Sequence, residues 1–386
     1  KVDKINKGIS PIYEENLESL LQELVKKGKL RATTDSRKAV IDSELTFICV
    51  GTPSNQDGSI DTSRVEQAAN DITDGLKDKN DYHVVCVKST VVPGTTDSKV
   101  LPILKESGKT VRDDFGLGMN PEFLREGVAL NDFLKPDRIV IGGIDDKTLN
   151  VISKAYEDFE SPIVKTNIRT AEMIKYASNS LLATKISFAN ELSRICESVG
   201  IDIYDVMDGV GLDHRINRDF LNAGAGFGGS CFPKDVNALI NFAKENGIES
   251  KILKSVIEVN EDQPFHIVEL LEKNLGSVEG KKIALLGLTF KDKTDDVRET
   301  RALPIALKLI EKNAEVVGYD PKGKDNFSKL IDQDMIFVDS IKEALEGKDA
   351  CIIQNDWEEF KNLSSEDFFK MKNKLIVDGR RILKEE

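Results

Sequence analysis

The chain has 386 residues, too many for one ordinary core, so two or three domains are expected. Hydrophobic residues make up 40% and charged residues 31%, the balance of a soluble globular protein, and no apolar run approaches the roughly 20 residues that span a bilayer. A net charge of −13 argues against broad nucleic-acid binding and leaves anionic small molecules, held locally by Arg, Lys or helix N-termini.

The opening KVDKINKGIS lacks the apolar segment of a signal peptide, and a cytoplasmic setting is expected. The first 150 residues then alternate apolar runs with polar, helix-like stretches. ELTFICVGTP (44–53), YHVVCVKST (82–90) and DRIVIGG (137–143) read as strands of a parallel sheet buried on both faces. Between them DTSRVEQAANDITDGLKD (61–78) reads as a helix, with Asp61 or Ser63 as its cap. From 168 to 211 the pattern turns helical, with no Gly or Pro before Gly200, and one long helix is expected. It serves either as a plain core helix or as a bridge between domains or subunits.

An α/β pattern restarts at 279. KKIALLGLTF (281–290), EVVGYDPKG (315–323), DACIIQNDW (349–357) and KLIVDGRRI (374–382) read as strands, and TRALPIALKLIEKNAE (300–315) as an amphipathic helix. A strand, a Gly turn, a helix and a strand ending in Asp320 make one βαβ unit, either nucleotide-binding or generic.

Cysteine usage points to free thiols. The five cysteines are odd in number and widely spaced, which suits a reducing compartment, and the three histidines lie near no Cys pair, so no metal site is expected. Cys49, Cys86, Cys196 and Cys351 sit in apolar segments and read as small buried hydrophobes. Cys231 differs. In GFGGSCFPKDV (226–236) glycines crowd it, and Lys234 and Asp235 follow. Glycines admit a ligand close to the backbone, and a neighbouring cation favours thiolate. Two further constellations stand out. MNPEFLREG (119–127) carries Glu122 and Glu126 between Pro121 and Gly127, after an apolar stretch. AEMIKYASN puts Lys175 and Asn179 four residues apart on one helix face, as an oxyanion cradle or as a snorkelling Lys with a solvated Asn.

Together these segments resemble the UDP-glucose and GDP-mannose dehydrogenase family. The blocks fall in order along nearly the whole chain: VGTPSNQDGSID (50–61), KSTVVPGTT (88–96), NPEFLREG (120–127), the 171–191 helix, GFGGSCFPKD (226–235), GLTFKDKTDDVRET (287–300), NDWEEF (355–360) and DGRR (378–381). The Cys block resembles most the form found in the enzymes that oxidise UDP-glucose. GDP-mannose enzymes share the GGSC element, whereas those for N-acetylated UDP sugars carry a GGHC-like variant.

The resemblance implies two Rossmann-like parallel-sheet domains joined by a long central helix and a small helical dimerisation domain. Its boundaries would be 1–165 for NAD binding, 166–265 for the central helical domain with the Cys loop, and 266–386 for the nucleotide sugar. It implies a four-electron oxidation of the sugar's C6 alcohol to a carboxylate, giving UDP-glucuronate for polysaccharide synthesis, with two NAD as hydride acceptors. Cys231 would be the nucleophile, Lys175 and Asn179 the oxyanion partners, Asp235 a water holder that tunes Lys175, Glu122 the general base and Thr90 the residue that positions the hydrolytic water. Substrate contacts would come from Phe123, Leu124, Phe220, Leu221, Asn222, Ala223, Gly224, Gly228 and Lys291, with Arg380 or, preferred, Arg381. Arg215 would reach a second subunit's site, making a homodimer the smallest complete unit. NAD would meet Lys1, Thr52, Thr90, Glu126, Lys234 and Arg298.

Two departures matter. The family usually opens with a strand, a G-x-G-x-x-G turn, a helix and a second strand ending in an acid, a unit of about 30 residues. None of that unit is in these 386 residues: either the start of the chain is not included, the preferred reading because every downstream catalytic position is retained, or the unit is truly deleted, which would leave a redox-inactive nucleotide-sugar-binding protein. Some family members carry Lys where Asn222 stands.

Overall fold

The computed structural model describes residues 1–12, 14–332 and 334–383. The chain divides into two units, Lys1–Ser178 and Asn179–Glu386. The first holds strands β1 (Leu45–Ile48), β2 (His83–Val87), β3 (Phe115–Met119), β4 (Ile139–Gly143) and β5 (Ile163–Thr166), in the order β1-β2-β3-β4-β5. Strands β1, β2 and β4 are the three apolar runs expected from the sequence, trimmed where turn residues begin. Every residue of β2 is buried, as a continuous Val-rich run without alternation requires.

The sheet is not wholly parallel. β3 and β4 run antiparallel, with Gly118 opposite Gly143 and Met119 opposite Gly142, while the remaining pairs are parallel. Residues 120–138 join the two strands, with one short helix, Ala129–Leu134. Burial on both faces, which the apolar runs signal, does not fix a strand's direction.

Helix α1 (Ser63–Lys77) buries Val65, Ala69, Ile72 and Leu76 at helical spacing. Thr62 is its N-cap residue, and the Asp61 carboxylate accepts from the Ser63 amide at 2.8 Å. A π-helical turn, Thr96–Val100, leads into α2 (Leu101–Lys105). Helix α3 spans Ile168–Val199, the long helix expected from the run without Gly or Pro before Gly200. Gly200 turns left-handed there with φ +71°, and Asp202 caps a new helix, α4 (Ile203–Gly211), by accepting from the Tyr204 amide. Glycine also fixes how α3 starts: a Cβ on Gly142 would lie 2.8 Å from the Ala171 Cβ and 2.9 Å from the Ile168 Cα.

The second unit contains α4, α5 (Phe232–Glu245), α6 (Lys251–Leu275) and α7 (Ala302–Glu311). Its sheet is parallel throughout, with β6 (Lys282–Leu286), β7 (Glu315–Tyr319), β8 (Ile336–Phe337), β9 (Ala350–Ile353) and β10 (Leu375–Asp378) in the order β10-β9-β6-β7-β8. The order reverses between β6 and β9, the switch point of a doubly wound fold. Leu271, Ile283, Leu285, Ile305, Leu309 and Ile352 build its core between the sheet and α6 and α7. Among the described residues, no helix is long and apolar enough to cross a membrane.

Candidate active site

In the first unit the polar residues gather at the C-terminal ends of the parallel strands, where open α/β sheets bind ligands. Thr52 donates to the Thr90 carbonyl at 2.8 Å, and Ser89 donates to the carbonyls of Ile48 and Val50 at 3.1 and 2.7 Å. These bonds tie the segment after β1 to the segment after β2 and leave short hydroxyl side chains there, which suits a nucleotide cofactor. Lys1 is exposed at the N-cap of the short helix Val2–Asn6. Glu126 lies half-buried in the loop after β3.

That loop carries Glu122. Its Oε2 accepts from the Leu124 amide at 2.6 Å, which closes a tight turn, and its Oε1 lies 3.3 Å from the Lys175 Nζ. Lys175 on α3 is buried and half-buried Phe123 faces it, the ammonium 5.4 Å from the ring centre. On the same ring the Arg138 guanidinium sits at 4.0 Å. The loop is anchored at its root. Asn120 accepts at Oδ1 from Lys88 at 2.8 Å and from the Tyr156 hydroxyl at 2.5 Å, and donates to the Val140 carbonyl at 2.8 Å. Burial draws the Lys88 ammonium below its ordinary pKa, with Cys86, Cys49 and Glu122 opposing.

In the second unit Cys231 is the exposed N-cap residue of α5. Pro233 sits in the first turn, where a missing N–H costs nothing. One turn into the helix Asp235 is buried at 1% exposure, accepting from Asn179 at Oδ2 and from Lys234 at Oδ1, both at 2.6 Å. Asn179 is buried on α3. Lys234 is half-buried, with its ammonium on Asp235.

The approach to Cys231 is held by buried amides. Gly224 donates to Asn190 at 2.8 Å and accepts from Gln263 at 2.9 Å, while Asn260 accepts from the Phe227 amide at 2.7 Å and donates to its carbonyl at 3.1 Å. Pro264, four residues after Asn260, removes the helical bond that the Asn260 carbonyl would otherwise accept. Gly228 is needed for close approach, since a Cβ there would lie 2.2 Å from the Glu299 carbonyl oxygen. Leu221 and Ala223 are buried, Asn222 accepts from Arg218, and the Phe220 ring packs 6.2 Å from Phe232.

The remaining candidates are spread through this unit. Lys291 lies 5.8 Å from the Phe290 ring centre, exposed Arg298 grips Asp296 and exposed Arg215 grips Asp213. Arg381 pairs with Asp202, whereas Arg380 donates from Nε to the Gln354 carbonyl at 2.9 Å. Phe220, Glu299 and Arg381 all hold positive φ (64°, 51° and 51°), a strain that concentrates around binding loops. Asp320, at the end of β7, is internal. Its carboxylate accepts from the amides of Leu288, Thr289, Lys322 and Gly323, from the Thr289 hydroxyl and from the Trp357 indole.

Cys86, Cys196 and Cys351 are buried as expected, but Cys49 is exposed, because β1 ends at Ile48. The sequence reading missed Asn190, Asn260 and Gln263, although polar residues three apart on the apolar face of α6 were a signal. It also missed Lys88, Asn120, Arg138 and Glu172.

Three models of one family match consecutive parts of the chain: the UDP-glucose/GDP-mannose dehydrogenase NAD binding domain over residues 1–160, the central domain over 169–262 and the UDP binding domain over 284–385. The chain is 42% identical to the UDP-glucose 6-dehydrogenase AglM of Haloferax volcanii, over 99% of this chain and 89% of that protein. It is also 42% identical to the UDP-glucose 6-dehydrogenase TuaD of Bacillus subtilis, over 99% and 82%. The solved structure of a UDP-glucose dehydrogenase from Pyrobaculum islandicum superposes with a TM-score of 0.92 at 41% identity, covering 99% of this chain and 86% of that one. An NAD-binding fold followed by a UDP-binding fold is the layout of a nucleotide-sugar dehydrogenase. The chain belongs to the UDP-glucose/GDP-mannose dehydrogenase family.

Proposed function

We propose that this chain oxidises the C6 alcohol of UDP-glucose to a carboxylate, giving UDP-glucuronate, in two successive NAD-dependent steps. The observation that carries this reading is the exposed thiol of Cys231 at a helix start, behind a loop fixed by buried amides, in a chain so similar to UDP-glucose 6-dehydrogenases.

Each of two NAD molecules, when bound, accepts one hydride from C6. Loss of the first hydride and the hydroxyl proton leaves an aldehyde. The Cys231 sulfur bonds to the aldehyde carbon, and the carbonyl oxygen takes the charge and then a proton, giving a thiohemiacetal. Loss of the second hydride and that proton leaves a thioester. Water adds to it, the C–S bond breaks, and carboxylate and free thiol result. Covalent capture keeps the aldehyde from escaping, and the start of α5 stabilises negative charge on the sulfur.

Lys175 and Asn179 stabilise the oxyanion. Glu122 takes the proton of the attacking water, with Thr90 orienting it. Asp235 acts through Asn179 and Lys234, which are the partners that its carboxylate holds. Phe123, Leu124, Phe220, Leu221, Asn222, Ala223, Gly224, Gly228, Lys291 and Arg381 bind the nucleotide sugar, and Lys1, Thr52, Thr90, Glu126, Lys234 and Arg298 bind NAD. Functionally the chain divides at 165 and 265, as the sequence blocks suggest.

The working unit is a homodimer. Leu181, Phe188 and Ile195 recur at seven-residue spacing on α3 and are each more than half exposed, an apolar row suited to a second copy, to which Arg215 would reach across. The reading is tested by NADH formation with each sugar nucleotide. UDP-glucose should yield two NADH per sugar. NADH from GDP-mannose and none from UDP-glucose would overturn it.

A further inference from the structure

Glu172 on α3 is fully buried and lies three residues, one helical turn, before Lys175. Among the described residues its carboxylate makes no ion pair. Oε2 accepts from the Gly94 amide at 2.6 Å and Oε1 from the Thr96 amide at 2.9 Å. Those two amides flank the turn that opens the Thr96–Val100 helical segment, and Gly94 holds φ +96° there. Upstream, Thr90 is tied to Thr52 and Ser89 to the end of β1. The turn therefore links the polar strand ends to the helix that carries Lys175, through the Glu172 carboxylate on two of its amides and, beside it, the ion pair of Arg169 on α3 with Asp97.

We propose that Glu172 is a positioning residue for the dehydrogenase reaction: it clamps the Gly94–Thr96 turn to α3 and so fixes the Ser89–Val92 segment against the Lys175 helix. The inference rests on the assignment of Thr90 and Thr52 to NAD made above.

The clamp has a built-in limit. Both carboxylate oxygens face N–H donors, so a proton on either one puts a donor against a donor and costs one bond. Burial is the main influence on the carboxyl and pushes it up to about 7, with Asp97 reinforcing burial and the bonds from Thr96 and Gly94 opposing it. The charged groups around it are Asp97, from the helical turn, and Arg169, from α3 itself, which hold each other at 2.7 Å. Lys175, further along α3, faces Glu122. Opening the turn exposes the carboxyl and returns it toward 4.5, so the closed state binds the proton more readily, and opening is easier above about pH 7 than below it.

The test is amide exchange on the wild-type chain with Glu172→Gln beside it. In the wild type, protection of the Gly94 and Thr96 amides, corrected for intrinsic exchange, should rise roughly tenfold from pH 8 to pH 6 while β2 stays protected. In Glu172→Gln that protection should be low and independent of pH. The variant's NAD dissociation constant, measured by calorimetry, should rise about tenfold, with UDP binding unchanged. Pairing NAD loss with equal UDP loss would indicate general misfolding and overturn the positioning role. So would wild-type protection that does not change with pH, which needs no variant to fold. A wild type that makes no NADH from UDP-glucose would sink the substrate assignment and leave these readouts standing.

Discussion

Asn179 and Asp235, 56 positions apart in the chain, meet at 2.6 Å with both side chains buried. Asp235 has Lys234 on its other oxygen, also at 2.6 Å, so one carboxylate satisfies an amide and a cation at once. Removing it strands both. Asp235→Ala is expected to lower stability by about 2–3 kcal/mol, discounted because Lys234 keeps some solvent contact. NADH turnover should fall by at least 100-fold, and thermal unfolding beside a steady-state assay reads both effects. Wild-type turnover in a destabilised variant would remove Asp235 from the machinery.

Cys231 makes the sharpest chemical prediction. Cys231→Ser keeps the N-cap position and a weak nucleophile, so folding should be unaffected. A time course with UDP-glucose should then stall, with at most one slow NADH per sugar against two for the wild type. A variant with full two-step turnover would mean that the thiol is only part of a turn.

Gly228 has no room for a methyl group, because the Glu299 carbonyl oxygen would lie 2.2 Å from it. Gly228→Ala must push apart the two loops that meet there, at a cost of about 1–3 kcal/mol. UDP affinity by calorimetry should drop at least tenfold. Unchanged affinity would place the nucleotide elsewhere.

Two buried groups give the stability opposite dependences on pH. His83, bonded to Thr46 at 2.9 Å and to the Ser43 carbonyl at 3.0 Å, is lowered by burial to about 4 from 6.5. The unfolded chain binds the proton more readily, so this contribution is complete above pH 6.5 and lost as pH falls toward 4. Glu172, raised from 4.5 to about 7, works in reverse: its contribution is complete below pH 4.5 and lost as pH rises through 7. The two partly cancel in the wild type. His83→Gln should therefore expose a melting temperature that declines with rising pH over this window, and Glu172→Gln one that climbs. Parallel curves for wild type and both variants would contradict this.

The apolar row on α3 predicts the assembly. Phe188→Glu, at a half-exposed position, should leave the fold intact and shift the chain to monomer in light scattering. A wild type that is already monomeric would refute the dimer.

Much of the fold could be read from the sequence, for definite physical reasons. β2, β6 and β7 are continuous apolar runs ended by turn residues, and both-face burial leaves few other interpretations. β3 escaped because FGLGM contains two glycines, and β8 because it has two residues. The antiparallel β3–β4 pair could not be read, because an apolar run marks a buried strand without marking its direction. In the site, Cys231, Glu122 and Lys175 stood out because their loops or helix faces are unusual for their residue types. Glu172 did not, because an acid in the first turns of an amphipathic helix looks the same whether it meets water or a neighbouring backbone. Asn190, Asn260 and Gln263 were hidden likewise: their partners are main-chain groups far away in the sequence.

Asp320 ends β7 where a dinucleotide fold would present an acid to a ribose, yet both its oxygens are committed to the protein's own amides, hydroxyl and indole. No lone pair is left to grip a sugar diol. Two sheets of related design therefore share one polypeptide without duplicating its appetite for cofactor. Titration with NAD should saturate at one equivalent per chain, and UDP should occupy its own place without displacing it.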